Sequence, residues 1–167
     1  VSDKGLILKT KPIEKEIDSV EWAYLAGFYD GEGTVTATRQ SRKNRWYYQL
    51  RFVINNTNYL LLEKLQKRFG GSVHSISKIK NRPNWKRSYA WYATSKETCL
   101  PIFYGMLPYL RYKNEEINLA IEYWESMITP DPGKSLSDEE IYRRYRIIRS
   151  IKSLPNRRGS MNGKRGG

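Results

Sequence analysis

The stretch Leu25-Ala26-Gly27-Phe28-Tyr29-Asp30-Gly31-Glu32-Gly33 decides the fold. It closes an apolar run with two carboxylates, in a chain whose formal net charge is +13. Upstream, Asp18 with Glu21 three residues later fits a capping box, with Asp in place of the usual Ser or Thr. Trp22, Ala23, Leu25, Ala26 and Phe28 then continue as a helix ending near Gly31. It is apolar nearly all round, which predicts burial on several sides. The two acids fall at the negative end of the helix macrodipole. Each is unfavourable there by roughly 0.3–1 kcal/mol unless something compensates. Gly27 and Gly31 stand one turn apart. Glycine costs a helix roughly 1 kcal/mol against alanine, so two on one face predict that another backbone approaches closely there.

Downstream the hydrophobic period changes from helical to two. TVTATRQ sets Val35, Ala37 and Arg39 against Thr34, Thr36, Thr38 and Gln40. WYYQLRFVI sets Trp46, Tyr48, Leu50, Phe52 and Ile54, a core face, against Tyr47, Gln49, Arg51 and Val53, a polar and basic face. SRKNR between them reads as a hairpin loop, although it lacks glycine. NYLLLEKLQKRF is an amphipathic helix ending at Gly70-Gly71. SVHSISKIK and RSYAWYATS form a second strand pair around the polar loop NRPNW. Tyr89 and Trp91 are expected in the core with Trp46 and Tyr48. Helices follow at about Lys96–Leu107, Asn114–Met127 and Asp138–Ser153, with Pro130 and Pro132 before the last. The order helix, hairpin, helix, hairpin, helices predicts an α+β unit with a mainly antiparallel sheet and helices on one face. Residues 1–17 form an N-terminal arm, 18–153 a single domain, and 154–167 a basic Gly/Arg-rich tail with no periodicity. The tail's composition predicts no regular structure on its own.

Charge narrows the function. From residue 33 to 96 there are 14 Lys and Arg and a single acid, Glu63. A solvated face mixes signs, so this span reads as a surface for a polyanion. One cysteine, Cys99, excludes an intramolecular disulfide and a Cys-ligated zinc site, and reads as a small buried apolar residue. The lone His74 excludes a His-rich metal site. No apolar run approaches the ~20 residues of a membrane span, and the first residues lack a signal peptide's apolar segment. A soluble intracellular protein with no membrane partner is expected.

The nine-residue motif, with the element order behind it, resembles the signature of LAGLIDADG homing endonucleases. The resemblance covers roughly Glu21 to Trp124. It implies that two motif helices pack side by side. It also implies that the acid after each helix binds a divalent cation over the DNA minor groove, and that the sheets form a saddle in the major groove. One motif is present, so the resemblance is to the single-motif subclass. Such a protein works as a homodimer on a near-palindromic double-stranded DNA site, here about twenty base pairs. The implied cofactor is Mg²⁺, with Mn²⁺ able to substitute and Ca²⁺ binding without cleavage.

Carried onto this sequence, the resemblance makes Glu32 the metal-binding acid, where the family usually has Asp. The Gly31 carbonyl is a further ligand, and Asp30 a less direct acid that helps hold the helix end. Lys113, or alternatively Arg111, is the basic residue near the scissile phosphate. Asn56 is either a polar residue near the cleavage centre or a turn residue of NNTN. Trp22, Ala23, Ala26, Gly27 and Asp30 are the expected dimer interface. Expected DNA contacts from the first hairpin are Thr36, Thr38, Gln40, Arg42, Lys43, Arg45, Tyr47, Gln49 and Arg51. From the second they are His74, Lys78, Lys80, Arg82, Trp85, Lys86, Arg87 and Tyr92, and from the tail Arg157 and Arg158. The leading expectation is a metal-dependent DNA endonuclease. The alternatives are an intron RNA maturase on the same fold, which binds without cutting, and an unrelated basic structural protein with little sequence preference.

Overall fold

The computed structural model describes residues 16–76 and 86–155. The expected contacts Lys78, Lys80, Arg82, Trp85, Arg157 and Arg158 lie outside the described residues, as do most of the arm and tail.

Helix α1 (Ser19–Glu32) begins with the expected capping box. The Asp18 carboxylate accepts the Glu21 N–H at 2.8 Å, and Glu21 accepts the Asp18 N–H at 3.4 Å. The helix runs through Gly31 to Glu32. Its burial is one-sided: Leu25, Ala26 and Tyr29 are buried, while Val20, Ala23, Tyr24, Gly27 and Gly31 are exposed. A helix apolar all round gives no direction, and within this chain only one side meets the core.

Strands β1 (Gly33–Arg42) and β2 (Arg45–Asn56) pair antiparallel from Gly33↔Ile54 to Arg42↔Arg45. The strands continue into the stretch read as a loop and leave two turn residues, Lys43 and Asn44. Both have positive φ, 48° and 60°, the left-handed pair whose twist suits a tight hairpin. Helix α2 (Tyr59–Phe69) is capped by Asn58, whose side chain accepts the Leu61 N–H at 3.1 Å. It ends at Gly70 and Gly71, with φ 84° and 83°. A Cβ on Gly71 would also lie 2.3 Å from the Tyr92 carbonyl oxygen, so both backbone angle and space require glycine there. Strands β3 (Ser72–Ile76) and β4 (Ser88–Ala93) complete an antiparallel sheet of order β1-β2-β4-β3. Helices α3 (Lys96–Met106), α4 (Asn114–Glu125) and α5 (Asp138–Lys152) follow. The expected α+β architecture is the observed one.

One sheet face packs against residues from all five helices. Phe52 sits at its centre, with ring centroids of Trp91, Tyr29 and Phe103 at 5.0, 5.3 and 6.1 Å. Burying such a side chain contributes about 1.5–3 kcal/mol. Trp91 and Tyr89 join this core, Trp91 fully buried with its indole N–H on the Gly70 carbonyl at 2.8 Å. Trp46 does not, being 55% exposed. It lies on the core side by alternation, but near the hairpin tip, where an open groove separates it from Ile141, Tyr142 and Tyr145 of α5. Cys99 is buried, and burial pushes its thiol up to about 12, which suits an inert apolar residue. Among the described residues no helix is long and apolar enough to cross a membrane.

Candidate functional site

The motif's first acid answers the electrostatic problem posed by its position. Asp30 accepts three consecutive backbone N–H groups, those of Arg111, Tyr112 and Lys113, at 2.8, 3.3 and 3.0 Å. Lys113 reciprocates. Its ammonium donates to the carbonyls of Tyr29 at 3.1 Å and Gly33 at 2.6 Å. A cation therefore offsets the negative helix end, while the acid fastens the segment leading into α4. Lys113 is thus a cap for α1 beside the motif acids. Arg111 has an exposed side chain and contributes its backbone.

Glu32 is different. It is exposed, and among the described residues it has no hydrogen-bond or ion-pair partner. Two residues after Asp30, the chain holds one carboxylate locked and one available. Among the described residues no three His, Cys, Asp or Glu side chains converge. A divalent ion would find here the Glu32 carboxylate and the Gly31 carbonyl, one of the last helix carbonyls, which lack partners within the helix. That donor set fits Mg²⁺, which takes one or two protein carboxylates and completes its shell with phosphate oxygens and water. It fits less well if Asp30 must also bind, because both Asp30 oxygens already accept N–H groups.

Beneath this corner lies a residue that the sequence reading missed. Glu116 is 1% exposed. Its Oε1 accepts the Val35 N–H at 2.8 Å and the Tyr29 hydroxyl. It closes the buried edge of β1 onto α1 and α4. The available signal was its place on the inward stripe of α4 with Ile117, Ala120 and Trp124. Asn56, at the end of β2, accepts the Asn58 N–H at 2.8 Å and so serves the turn into α2.

The sheet face opposite the core gathers most of the expected contacts. Cross-strand partners there are Thr36 with Arg51, Thr38 with Gln49, Gln40 with Tyr47, and Arg42 with Arg45. Tyr92 and His74 belong to the same face through β4 and β3. The Arg51 guanidinium lies 4.9 Å from the Tyr92 ring centre, and His74 stands 5.7 Å from the same ring. Among the described residues, the buried side-chain atoms lacking a partner are Thr36 Oγ1, Arg51 Nε and Trp124 Nε1. Two of the three belong to one cross-strand pair in the middle of the polar face.

At the hairpin end the arrangement departs from expectation. The Arg45 guanidinium donates to the Leu136 carbonyl at 2.9 Å and pairs with Asp138. Tyr47 lies under the guanidinium of Arg144 at 5.3 Å. These two contact α5 and the segment leading into it. Lys43 sits at the turn tip, and Lys86 and Arg87 are exposed just before β4. Of the expected dimer residues, Ala26 is fully buried. Trp22 is half-buried against Phe69 and against Gly105, where an added Cβ would lie 2.4 Å from the Trp22 ring. Both face inward because α1 packs on α2 and α3 through that side. Ala23 and Gly27 lie on the exposed side, and among the described residues nothing beyond the helix's own backbone and the adjoining residues comes within 4 Å of a Cβ added at Gly27 or Gly31.

The model for the LAGLIDADG endonuclease family matches residues 25–123, from the start of the motif through most of α4. The chain belongs to the LAGLIDADG endonuclease family. An intron-encoded DNA endonuclease of Dictyostelium discoideum is 32% identical over 151 residues, 88% of this chain. The chain spans 55% of the length of that curated relative. Solved LAGLIDADG structures share the fold. The archaeal intron-encoded homing endonuclease I-Vdi141I, complexed with DNA, aligns with a TM-score of 0.63 at 14% identity, covering 80% of this chain and 82% of its own. I-CvuI, in complex with a DNA target, gives 0.52 at 15% identity, covering 81% and 96%. I-GzeII, with its DNA target, gives 0.53 at 19%, covering 82% and 44%. For this LAGLIDADG chain the motif is therefore the end of α1, and Asp30 and Glu32 are its two acids.

Proposed function

We propose that this chain is a sequence-specific, divalent-metal-dependent DNA endonuclease. It acts as a homodimer on a near-palindromic duplex of about twenty base pairs. One observation carries the reading: Glu32 is an exposed carboxylate without a partner among the described residues, at a helix end whose other acid is fully engaged. An unpaired acid in so basic a chain has little to offer the fold and much to offer a cation.

Glu32 and the Gly31 carbonyl would hold Mg²⁺, with Mn²⁺ able to substitute and Ca²⁺ supporting binding alone. Bound there, the ion supplies a nucleophilic water, neutralises charge on phosphorus and stabilises the leaving oxygen. The chain's own residues do the rest. Asp30 fixes the helix end against the segment before α4. Lys113 keeps a positive charge beside Glu32, where a phosphate would sit. Thr36, Thr38, Gln40, Gln49, Arg51, His74 and Tyr92 present donors, acceptors and a ring to base edges, and Arg42, Lys43, Lys86 and Arg87 offer charge to phosphates. Thr36 Oγ1 and Arg51 Nε lack a partner among the described residues, which leaves hydrogen-bonding capacity in the middle of this face.

Dimerisation rests on the exposed side of α1. Among the described residues no neighbour demands glycine at positions 27 and 31, whereas a second helix pressed there would. The fold relatives I-Vdi141I, I-CvuI and I-GzeII were solved with DNA, and I-CvuI in the presence of Mg and of Ca. The deciding experiment incubates the protein with a randomised duplex library and Mg²⁺ and sequences the cut molecules. A near-palindromic consensus is expected. Tight, selective nucleic-acid binding with no cutting in any divalent metal would favour the RNA maturase reading. Salt-sensitive binding with no preference would point to a basic structural protein.

A further inference from the structure

The outward face of α5 takes no part in the proposed reaction, and it lies beyond residue 123, where the family match ends. The helix buries Glu140, Arg144, Ile147, Ile148 and Ile151. Its opposite side carries Tyr142, Tyr145, Arg146, Arg149 and Lys152, at the spacing of one helical face. All five are exposed, Tyr142 by 68%. The acids of α5 are confined to its first turn, so from Tyr142 onward this face is aromatic and positive only.

Across a groove of about 300 Å³ the hairpin tip continues the pattern. Trp46 is 55% exposed, and the Arg39 guanidinium lies 4.3 Å from its ring centre. Tyr48 joins the two sides, 6.2 Å from the Tyr145 ring, with the Lys152 ammonium 5.7 Å from its own. Asp138, the acid that lines the groove, is already paired with Arg45. Trp46 and Tyr48 alternate with Tyr47 and Gln49, so they belong to the sheet face opposite the polar one.

A single exposed ring needs no explanation. Rings gathered along one groove, beside a helix face whose exposed charges Arg146, Arg149 and Lys152 are all positive, do. They call for a partner that is polyanionic and shows flat faces. A duplex hides its base faces in the stack, and an acidic peptide would use the cations and leave the rings idle. We propose that α5 and the hairpin tip bind single-stranded nucleic acid, with bases stacked on Tyr142, Tyr145 and Trp46 and phosphates held by Arg146 and Arg149.

The test uses the full chain and labelled twelve-nucleotide oligo-rU and oligo-dT, read by fluorescence anisotropy at two salt concentrations. Wild type is expected to bind with a steep salt dependence. Tyr142→Ala combined with Arg146→Ala should weaken binding by about tenfold or more, while Tyr142→Phe retains it. Both residues are exposed, so an unchanged melting temperature should accompany the loss, and duplex binding and cleavage should stay within about twofold. A preference for either oligomer supports the proposal. Three results overturn it: no binding of either oligomer by wild type, equal binding by the double variant, or stoichiometric displacement of the oligomer by duplex. If the protein proves not to cut DNA, the single-strand result stands or falls unaffected.

Discussion

Asp30 and Glu32 are two residues apart and chemically alike, yet their surroundings give them separate tasks. Asp30 is saturated by backbone N–H groups, and Glu32 is open. Glu32→Gln should therefore lower cleavage by at least ~10²-fold, since several kcal/mol of metal-derived stabilisation go with the charge. Duplex binding measured in Ca²⁺ should persist; cutting at a near-normal rate would move the chemistry elsewhere. Lys113 has two jobs at once. Lys113→Ala should cost about 1.5–3 kcal/mol in urea unfolding, through two charge-assisted bonds, and should also slow cleavage. A variant as stable as wild type would mean that the cap contributes nothing. Arg51→Ala tests readout: a loss of ~1–3 kcal/mol confined to one base position per half-site is expected. Uniform weakening at every sequence would make Arg51 a phosphate contact.

Elements were more legible in the sequence than their orientations. The switch from helical to twofold period, the capping box at Asp18 and the paired glycines after Phe69 marked boundaries within a residue or two. They did so because each rests on local backbone chemistry. The direction of α1 was not legible, since a helix apolar on every side carries no vector. Nor was the exposure of Trp46: alternation says which residues share a face, not where the opposing layer stops. Glu116 hid because a carboxylate among apolar neighbours looks like a surface acid until its partners are known. The same holds at α5. Burial acts to raise the Glu140 carboxyl, but hydrogen bonds from Arg143 and Arg144 outweigh it and hold it below the usual carboxylate range. A lowered folded value means stability that is full above the unfolded pKa, about 4.3, and lost as pH falls through the folded one. Glu140→Gln should cost about 3–5 kcal/mol near neutral pH by stranding buried Arg144. The gap in melting temperature from wild type should shrink in acid below pH ~4. A gap independent of pH would remove the carboxylate from the account.

For the whole molecule, the proposed homodimer rests on the exposed stripe of α1. Gly27→Leu should block close approach of a second helix and yield monomers by sedimentation, with duplex cutting lost. A fully active Gly27→Leu dimer would contradict that packing. β2 has twelve residues, about 40 Å at ~3.3 Å per residue. A dimer read along that length spans about twenty base pairs or slightly more, and a footprint half as long would indicate a monomer. The bond between Asp30 and Arg111 joins residues 81 apart in the chain. During synthesis at ~5–20 residues per second, the motif helix therefore emerges roughly 4–16 s before the backbone that fastens it. Through that interval Tyr29 and Val35 also wait for Glu116. The nascent chain holds the end of α1 unassembled until nearly all of the matched region has left the ribosome, so a message truncated before about residue 110 encodes the signature without the segment that fastens it.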